Sequence, residues 1–162
     1  MINNKKKIIL AVPRGRILID LVPILEKVQI VPEKLFYNDS TRKLKFNTSN
    51  ENVGIIKVRS FDVANFVAYG GAHLGIVGLD VIKEFNYAEI YAPVNLGIGK
   101  CRMSVAEPTH LAVEDDPSSW SHLEVATKYP KITKEHFASR GVQAECLKLN
   151  GALELAPALG LS

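Results

Sequence analysis

The chain has 162 residues, of which 47% are hydrophobic and 23% are charged, a composition typical of a folded globular protein. Its formal net charge of +3 is only mildly basic, and part of the excess comes from a Lys5-Lys6-Lys7 tail. No basic stripe with interleaved aromatic residues is visible, which argues against a nucleic-acid-binding protein. No apolar run approaches the roughly 20 residues that a membrane-spanning helix needs. The sequence therefore predicts no nucleic-acid partner and no membrane partner.

Neither the cysteines nor the histidines follow a ligand pattern. Cys101 and Cys146 lie far apart, without a C-x-x-C motif and without a signal peptide before them. This arrangement predicts reduced thiols in a cytoplasmic protein. The four histidines show no metal-ligand spacing with cysteines or with one another, so we expect no metal ion bound by protein ligands alone. They are His73, His110, His122 and His136.

The first element reads as a buried strand over residues 7–12, which the turn Pro13-Arg14-Gly15-Arg16 ends. Apolar residues at helical spacing follow as far as Val28, and Pro23 inside that helix removes one backbone donor. The turn could be a plain connection between strand and helix. It could also bind phosphate, because glycine lets the backbone approach a ligand while two guanidinium groups grip phosphate oxygens.

A hairpin is predicted next. The polar segment NDSTRKLKF runs into an alternating strand with Leu44 and Phe46 on one face, and residues 54–58 supply its partner. Arg42 begins the first of these strands, and Arg59 follows the second. Arg42 and Lys43 could equally form a solvated edge. With the first turn included, three separate elements bring arginines to strand ends, which suits a small anionic ligand.

Residues 58–80 predict a β-α-β crossover. Apolar side chains at helical spacing follow Ser60, which occupies the position of an N-cap. Residues 74–77 then form a short apolar run between Gly71 and Gly78, which predicts a strand covered on both faces. Such a crossover places a helix start beyond a strand's carboxyl end, where phosphates and carboxylates are commonly held.

The second half repeats this order of elements. Extended runs are predicted over residues 88–106, and the acidic segment 114–119 is expected to be a solvated loop. A strand at residues 123–126, a Thr127-Lys128-Tyr129-Pro130 turn, a helix ending near Arg140 and a strand at 144–149 follow. These elements predict an α/β protein of two αβ lobes, 1–97 and 98–162, with a ligand cleft between them.

Seven motifs in order carry a resemblance to a known family. They are PRGRIL, TRKLKF, VRSFDV, GGAHLGIVGLDV, LGIGKCR, VATKYPKIT and LKLNGALELAPALGL. Over essentially all of its 162 residues the chain resembles the short form of the catalytic subunit of ATP phosphoribosyltransferase. The resemblance implies condensation of ATP with 5-phosphoribosyl diphosphate to N1-(5-phosphoribosyl)-ATP and diphosphate, the first step of L-histidine biosynthesis.

The resemblance also implies an architecture and partners. Family members fold as two αβ lobes like a type II periplasmic binding protein, and they use Mg²⁺ bound mainly by the substrates. It implies a homodimer and a hetero-oligomer with a regulatory subunit that resembles histidyl-tRNA synthetase. Two alternatives stay open: a non-catalytic two-lobed module that binds small anions, and a truncated, inactive copy of the enzyme.

The resemblance assigns site residues position by position. Arg16 and Arg42 would be catalytic, holding phosphates of ATP and of the departing diphosphate, and Glu154 would approach the ribose hydroxyls of the donor. The other implied substrate-binding residues are Arg14, Gly15, Arg59, Asp62, Gly75, Gly78, Lys128 and Tyr129. Three positions depart from the family pattern: Arg14 replaces a usual lysine, His73 stands where an acidic residue is common, and Leu79 stands where lysine is frequent. We expect structural roles for the last two.

The chain ends at Ser162, before the threonine- and glycine-containing loop with which the family holds the 5′-phosphate of the donor. The return of the chain to the first lobe is expected to be missing as well. Backbone N–H groups and hydroxyls of such a loop hold phosphate, and nothing else in this sequence replaces them.

We therefore predict that this polypeptide binds ATP or AMP better than 5-phosphoribosyl diphosphate, and that it turns over poorly. Titration calorimetry with each ligand separately measures the difference. Binding of the donor as tightly as by intact relatives would refute the prediction.

Overall fold

The structure, a computed structural model, describes residues 7–110 and 116–162. The chain divides into two compact units, Met1–Cys101 and Arg102–Ser162. Lys5 and Lys6 of the basic tail, and part of the predicted acidic loop at 114–115, lie outside the described residues. No helix in the described part is long and apolar enough to cross a bilayer.

The first unit is built on a four-stranded mixed sheet in the order β2-β3-β1-β4. The strands are β1 (Ile8–Pro13), β2 (Lys45–Asn47), β3 (Val53–Val58) and β4 (Leu74–Gly75). Strand β1 pairs in parallel with both β3 and β4, whereas β2 pairs with β3 in antiparallel. The predicted first strand, the hairpin and the crossover from β3 to β4 are thereby confirmed.

Alternation along β1 divides the core of this unit into two layers, because successive strand side chains point to opposite faces. Leu10 and Val12 belong to one buried cluster and Ala11 to the other. The first cluster contains α1 (Arg16–Lys27), which contributes Leu21 and Leu25. The second contains α2 (Ser60–Ala68) through Val63. Helices on both faces therefore bury β1, as its continuous apolar run predicts.

Helix α3 (Leu79–Phe85) completes the first unit. It buries Val81 and ends at Asn86, which adopts a left-handed conformation with φ of 50°. Asparagine tolerates the left-handed region because its short polar side chain can form hydrogen bonds with the nearby backbone.

Strand β4 differs from its prediction. It comprises only Leu74 and Gly75, and 57% of Leu74 is exposed, so the expectation of a strand covered on both faces was wrong. The physical reason is its position at the edge of the sheet, where β1 alone among the described strands pairs with it. An apolar run of four residues does not by itself distinguish a central strand from an edge strand.

Two further expectations were wrong. The predicted strands at 88–106 are absent, because none of the strands described in the structure pairs with this segment. Side chains such as Tyr91 and Val94 are accordingly 86% and 71% exposed. The N-cap of α2 is Arg59, and Ser60 is the first helical residue, because the Arg59 carbonyl already accepts from the N–H groups of Asp62 and Val63.

The second unit has a β-α-β core, as predicted. Strands β5 (His122–Thr127) and β6 (Gln143–Lys148) pair in parallel, and α4 (Pro130–Ala138) connects them. The helix buries Thr133 and Phe137. Gly141 follows with φ of 77°, the left-handed conformation that commonly ends a helix. Two 3₁₀ turns, Leu153–Leu155 and Pro157–Leu159, complete the unit.

We predict that Gly75→Ala destabilises the first unit by about 1–3 kcal/mol, as overpacking of a filled site commonly does. A Cβ at position 75 would lie 2.8 Å from Val63 Cγ1 and 2.9 Å from Val67 Cγ2, so α2 would have to move. Urea unfolding followed by circular dichroism measures the change.

The matched control is Gly151→Ala, since a Cβ there meets nothing within 4 Å and the backbone is not left-handed. It should leave stability unchanged or raise it slightly, by reducing the entropy of the unfolded chain. Equal midpoints of urea unfolding for the two variants would contradict the explanation that Gly75 is needed for close contact with α2.

Candidate functional site

The candidate site of the first unit lies at the sheet edge where parallel strands β1 and β3 end. Their last residues, Pro13 and Val58, are register partners, so Arg14 and Arg59 leave the sheet side by side. The Arg14 N–H donates to the Val58 carbonyl over 3.0 Å, which joins the two turns. The structure thus brings two of the predicted arginines to one edge.

The turn between β1 and α1 depends on Gly15. Its φ of 90° and ψ of −152° lie in a region that L side chains rarely adopt, although a Cβ there would meet no atom within 4 Å. Backbone conformation, not crowding, therefore requires this glycine. Arg16 is the first residue of α1, and its side chain is exposed.

The segment that carries Arg42 approaches the same edge of the sheet from β2, on the far side of β3 from β1. The Lys57 N–H donates to the Leu44 carbonyl over 2.8 Å, which continues the β2–β3 pairing toward the carboxyl end of β3. Arg42 lies two residues before Leu44 along this path. The sequence prediction that separate elements bring arginines to strand ends agrees with this backbone geometry.

Among the described residues, the arginines that follow this edge have no ion-pair partners. Arg14, Arg16, Arg42 and Arg59 are exposed, and none forms a hydrogen bond through its side chain or an ion pair with the residues that the structure describes. Asp62, half-buried in the first turn of α2, is likewise without an ion pair there. Guanidinium groups that are not neutralised by the protein are suited to phosphate, which they can bind bidentately.

The two predicted glycines of the crossover have different surroundings. Gly75, in register with Ala11, is explained by its contact with α2, as described above. Gly78 is the N-cap of α3 with an ordinary φ of −66°, and the nearest atoms to a Cβ there would be those of the Asp80 side chain.

In the second unit, buried hydroxyl groups fix the turn that carries Lys128 and Tyr129. Thr127 Oγ1 accepts from the Tyr129 N–H over 3.0 Å and lies 3.0 Å from Thr133 Oγ1. Lys128 and Tyr129 are half-buried at the start of α4.

Glu154 is exposed in the 3₁₀ turn that follows β6. The Leu149 N–H donates to the Thr127 carbonyl over 3.0 Å, so β6 leaves the sheet beside the turn after β5. Within this unit, the predicted Lys128, Tyr129 and Glu154 therefore all follow the carboxyl ends of β5 and β6.

Sequence reasoning missed Lys57 of β3. This lysine is only 3% exposed, and its Nζ donates to the Phe36 carbonyl over 2.7 Å. The available signal was a single lysine within the apolar run VGIIKV, where the two-residue period places it on the same face as the buried Ile55.

His73 and Leu79 also depart from the family pattern. His73 has a structural contact, because its Nδ1 accepts from the Ile9 N–H over 3.0 Å and its own N–H donates to the Ile9 carbonyl over 2.9 Å. Leu79 opens α3 and is 62% exposed.

Neither cysteine forms a disulfide. Within residues 7–110 and 116–162, no three His, Cys, Asp or Glu side chains could together hold a metal ion.

Comparison with known proteins identifies the family. The family model described as "HisG: ATP phosphoribosyltransferase" matches residues 59–162. An ATP phosphoribosyltransferase of Rhodospirillum rubrum is 61% identical over 96% of this chain and 68% of that protein. The chain belongs to the ATP phosphoribosyltransferase family. A family member from Paramagnetospirillum magneticum is 59% identical over 96% of this chain and 71% of its own length.

A solved structure supports the mixed α/β fold of this family member. A chain of the "ATP phosphoribosyl transferase (HisG:HisZ) complex from Thermotoga maritima" matches with a TM-score of 0.61. The match covers 96% of this chain and 70% of that chain, at 24% sequence identity. At that identity the match bears on the fold alone.

We predict that inorganic diphosphate binds the arginine edge with an affinity that falls about tenfold or more between 0.05 and 0.5 M NaCl, because salt screens exposed charges. Calorimetric titrations at constant pH measure this dependence. Arg14→Ala and Arg59→Ala should each weaken binding and flatten the salt dependence. An affinity independent of salt would contradict a site built from exposed guanidinium groups.

Proposed function

We propose that this chain catalyses the condensation of ATP with 5-phosphoribosyl diphosphate to N1-(5-phosphoribosyl)-ATP and diphosphate, the first step of L-histidine biosynthesis. Family membership supports the reaction. The single structural observation that supports its location is the sheet edge followed by four exposed arginines, none of which forms an ion pair with the described residues.

The chemistry explains why such an edge would be useful. Adenine N1 attacks the anomeric carbon of the donor with its lone pair, and the bond from that carbon to the diphosphate oxygen breaks. Negative charge therefore grows on the departing diphosphate. A preorganised set of hydrogen-bond donors with positive charge stabilises this change, and holding both substrates in line removes much of the entropic barrier. No nucleophilic side chain is required.

Each predicted residue has a role in this proposal. Arg16 and Arg42 hold phosphates of ATP and of the leaving diphosphate as catalytic residues. Arg14 and Arg59 extend the same cationic edge, and Gly15 lets the backbone of the first turn approach a phosphate. Gly75 and Gly78 line the crossover from β3 through β4 to α3.

The second unit supplies the remaining contacts in the proposal. Lys128 and Tyr129 face the substrates from the turn before α4, and Glu154 accepts hydrogen bonds from the ribose hydroxyls of the donor. The proposed architecture is that of a type II periplasmic binding protein, with the ligand in a cleft between two αβ lobes.

Magnesium belongs to the substrates in this proposal. Oxygen ligands suit Mg²⁺, which commonly keeps several waters and binds through substrate phosphates and one or two carboxylates. Asp62, a carboxylate without an ion pair among the described residues, fits a contact with such a hydrated ion. The ion would neutralise part of the phosphate charge.

The solved neighbour supports a proposal about assembly. That structure is of a HisG:HisZ complex, and we propose that this chain forms a hetero-oligomer with a regulatory subunit that resembles histidyl-tRNA synthetase, as well as a homodimer. Feedback by histidine would then act through the partner subunit.

The decisive variants are Arg16→Ala and Arg42→Ala. We expect each to lower kcat/KM for phosphoribosyl-ATP formation by about 100-fold or more, the range observed when one transition-state donor is removed. Diphosphate release and ATP affinity are measured in parallel.

Arg140→Ala is the matched control, because Arg140 is an exposed arginine just after α4, at the opposite end of that helix from Lys128. It removes the same side chain and should leave kcat/KM unchanged. Retained turnover in both Arg16→Ala and Arg42→Ala would refute the proposed roles. ATP binding without any diphosphate release by the unmodified chain would instead favour the inactive-copy alternative.

A further inference from the structure

Lys57 holds both ends of the segment that carries Arg42. At the start of that segment, its Nζ donates to the carbonyl of Phe36 over 2.7 Å. At the end, its backbone N–H donates to the carbonyl of Leu44 over 2.8 Å. The intervening residues, 37–43, contain Arg42 and leave the sheet between these two anchors.

The first anchor is buried between aromatic rings. The side chain lies 3% exposed beneath the segment, with its Nζ 5.1 Å from the ring centre of Phe36 and 5.9 Å from that of Phe46. Asp39 Oδ1 is 3.7 Å from the same Nζ. The side chain of Asp39 is fully exposed, so this ion pair contributes little. A buried ammonium is costly unless hydrogen-bonded, so the bond to the Phe36 carbonyl is the main restraint on the segment.

Other bonds within the segment are local. The Ser40 N–H donates to Asn38 Oδ1, and the Lys43 N–H donates to Thr41 Oγ1. Lys43 also pairs with the partly exposed Glu33, a contact of the kind that contributes little at a protein surface. The side chain of Arg42 itself has no partner in the described part of the chain. Its location therefore depends on how the segment is anchored to the sheet.

We propose that Lys57 is a positioning residue for Arg42, acting on phosphate binding only through that arginine. The proposal rests on the proposed function, in which Arg42 binds phosphate. Because Lys57 is buried and already bonded, it does not itself contact the ligand. It reduces the conformational freedom that the Arg42 segment would otherwise lose on binding.

A double-mutant cycle with ATP as the probe tests this inference in the full chain. Arg42→Ala should weaken ATP binding about tenfold or more, as loss of a charge-assisted contact does. Lys57→Met should weaken binding about fivefold, and adding it to Arg42→Ala should weaken binding no further, since residues that act as one unit are not additive. Titration calorimetry gives each affinity.

Two controls separate positioning from charge and from general stability. Lys57→Arg keeps a donor for the Phe36 carbonyl and should restore affinity to within about twofold of the unmodified chain. Lys45→Met removes an exposed lysine of neighbouring β2 and should leave ATP binding unchanged. Thermal unfolding of every variant records stability separately.

The outcomes distinguish the inference from the function on which it rests. If the two substitutions multiply their effects, Lys57 acts independently of Arg42 and the positioning role is overturned. If Arg42→Ala leaves ATP affinity unchanged, the proposed phosphate role of Arg42 fails, and the inference with it.

Amide hydrogen exchange of the unmodified chain provides a test that does not require Lys57→Met to fold. We expect ATP to slow exchange at Arg42 and Leu44, and at the Lys57 amide by a similar factor, while residues 48–53 stay unchanged. Slower exchange at the Arg42 amide, without slower exchange at the Lys57 amide, would overturn the inference.

Discussion

The parallel pairing of β1 with β3 is the interaction on which the candidate site depends. Register sets which residues leave the sheet together, and here Pro13 lies opposite Val58. The Arg14 N–H continues the ladder by donating to the Val58 carbonyl. A slip of one residue would turn every side chain of β1 to the other face and would separate the two turns. Burial of β1 by helices on both faces makes such a slip costly, so the core fixes the position of the arginines.

In the first unit, buried apolar residues provide the stability and exposed arginines provide the positive charge. The four arginines are exposed, so water and salt weaken any repulsion between their charges. Strands β1 and β3, which Arg14 and Arg59 follow, are anchored in the core through Leu10, Val12 and Ile55. A buried arginine cluster would instead need carboxylate partners, and those would compete with phosphate. Exposure at the end of a buried sheet leaves the positive charge available to a ligand.

The sequence predicted the features that depend on local pattern. The apolar run of β1, the hairpin around Phe46 and the β5-α4-β6 order follow from periodicity and turn residues. It failed where a contact distant in sequence decides the outcome. No strand within residues 7–110 and 116–162 pairs on the outer side of β4, and none pairs with residues 88–106. Within the candidate site, the backbone positions of the arginines could be predicted from strand ends. The burial of Lys57 could not, because it requires knowing that Phe36 packs over β3.

The four arginines differ in how firmly their backbone is held by hydrogen bonds. Arg14 and Arg59 directly follow paired strands, and Arg16 belongs to α1, so regular backbone hydrogen bonds already fix three of the four. Arg42 alone lies on an irregular segment, whose closure is otherwise limited to local turns and a surface ion pair. An arginine in that position would lose more conformational entropy on binding than the other three. A buried cation that bonds both ends of the segment reduces this loss without occupying the space where phosphate would bind.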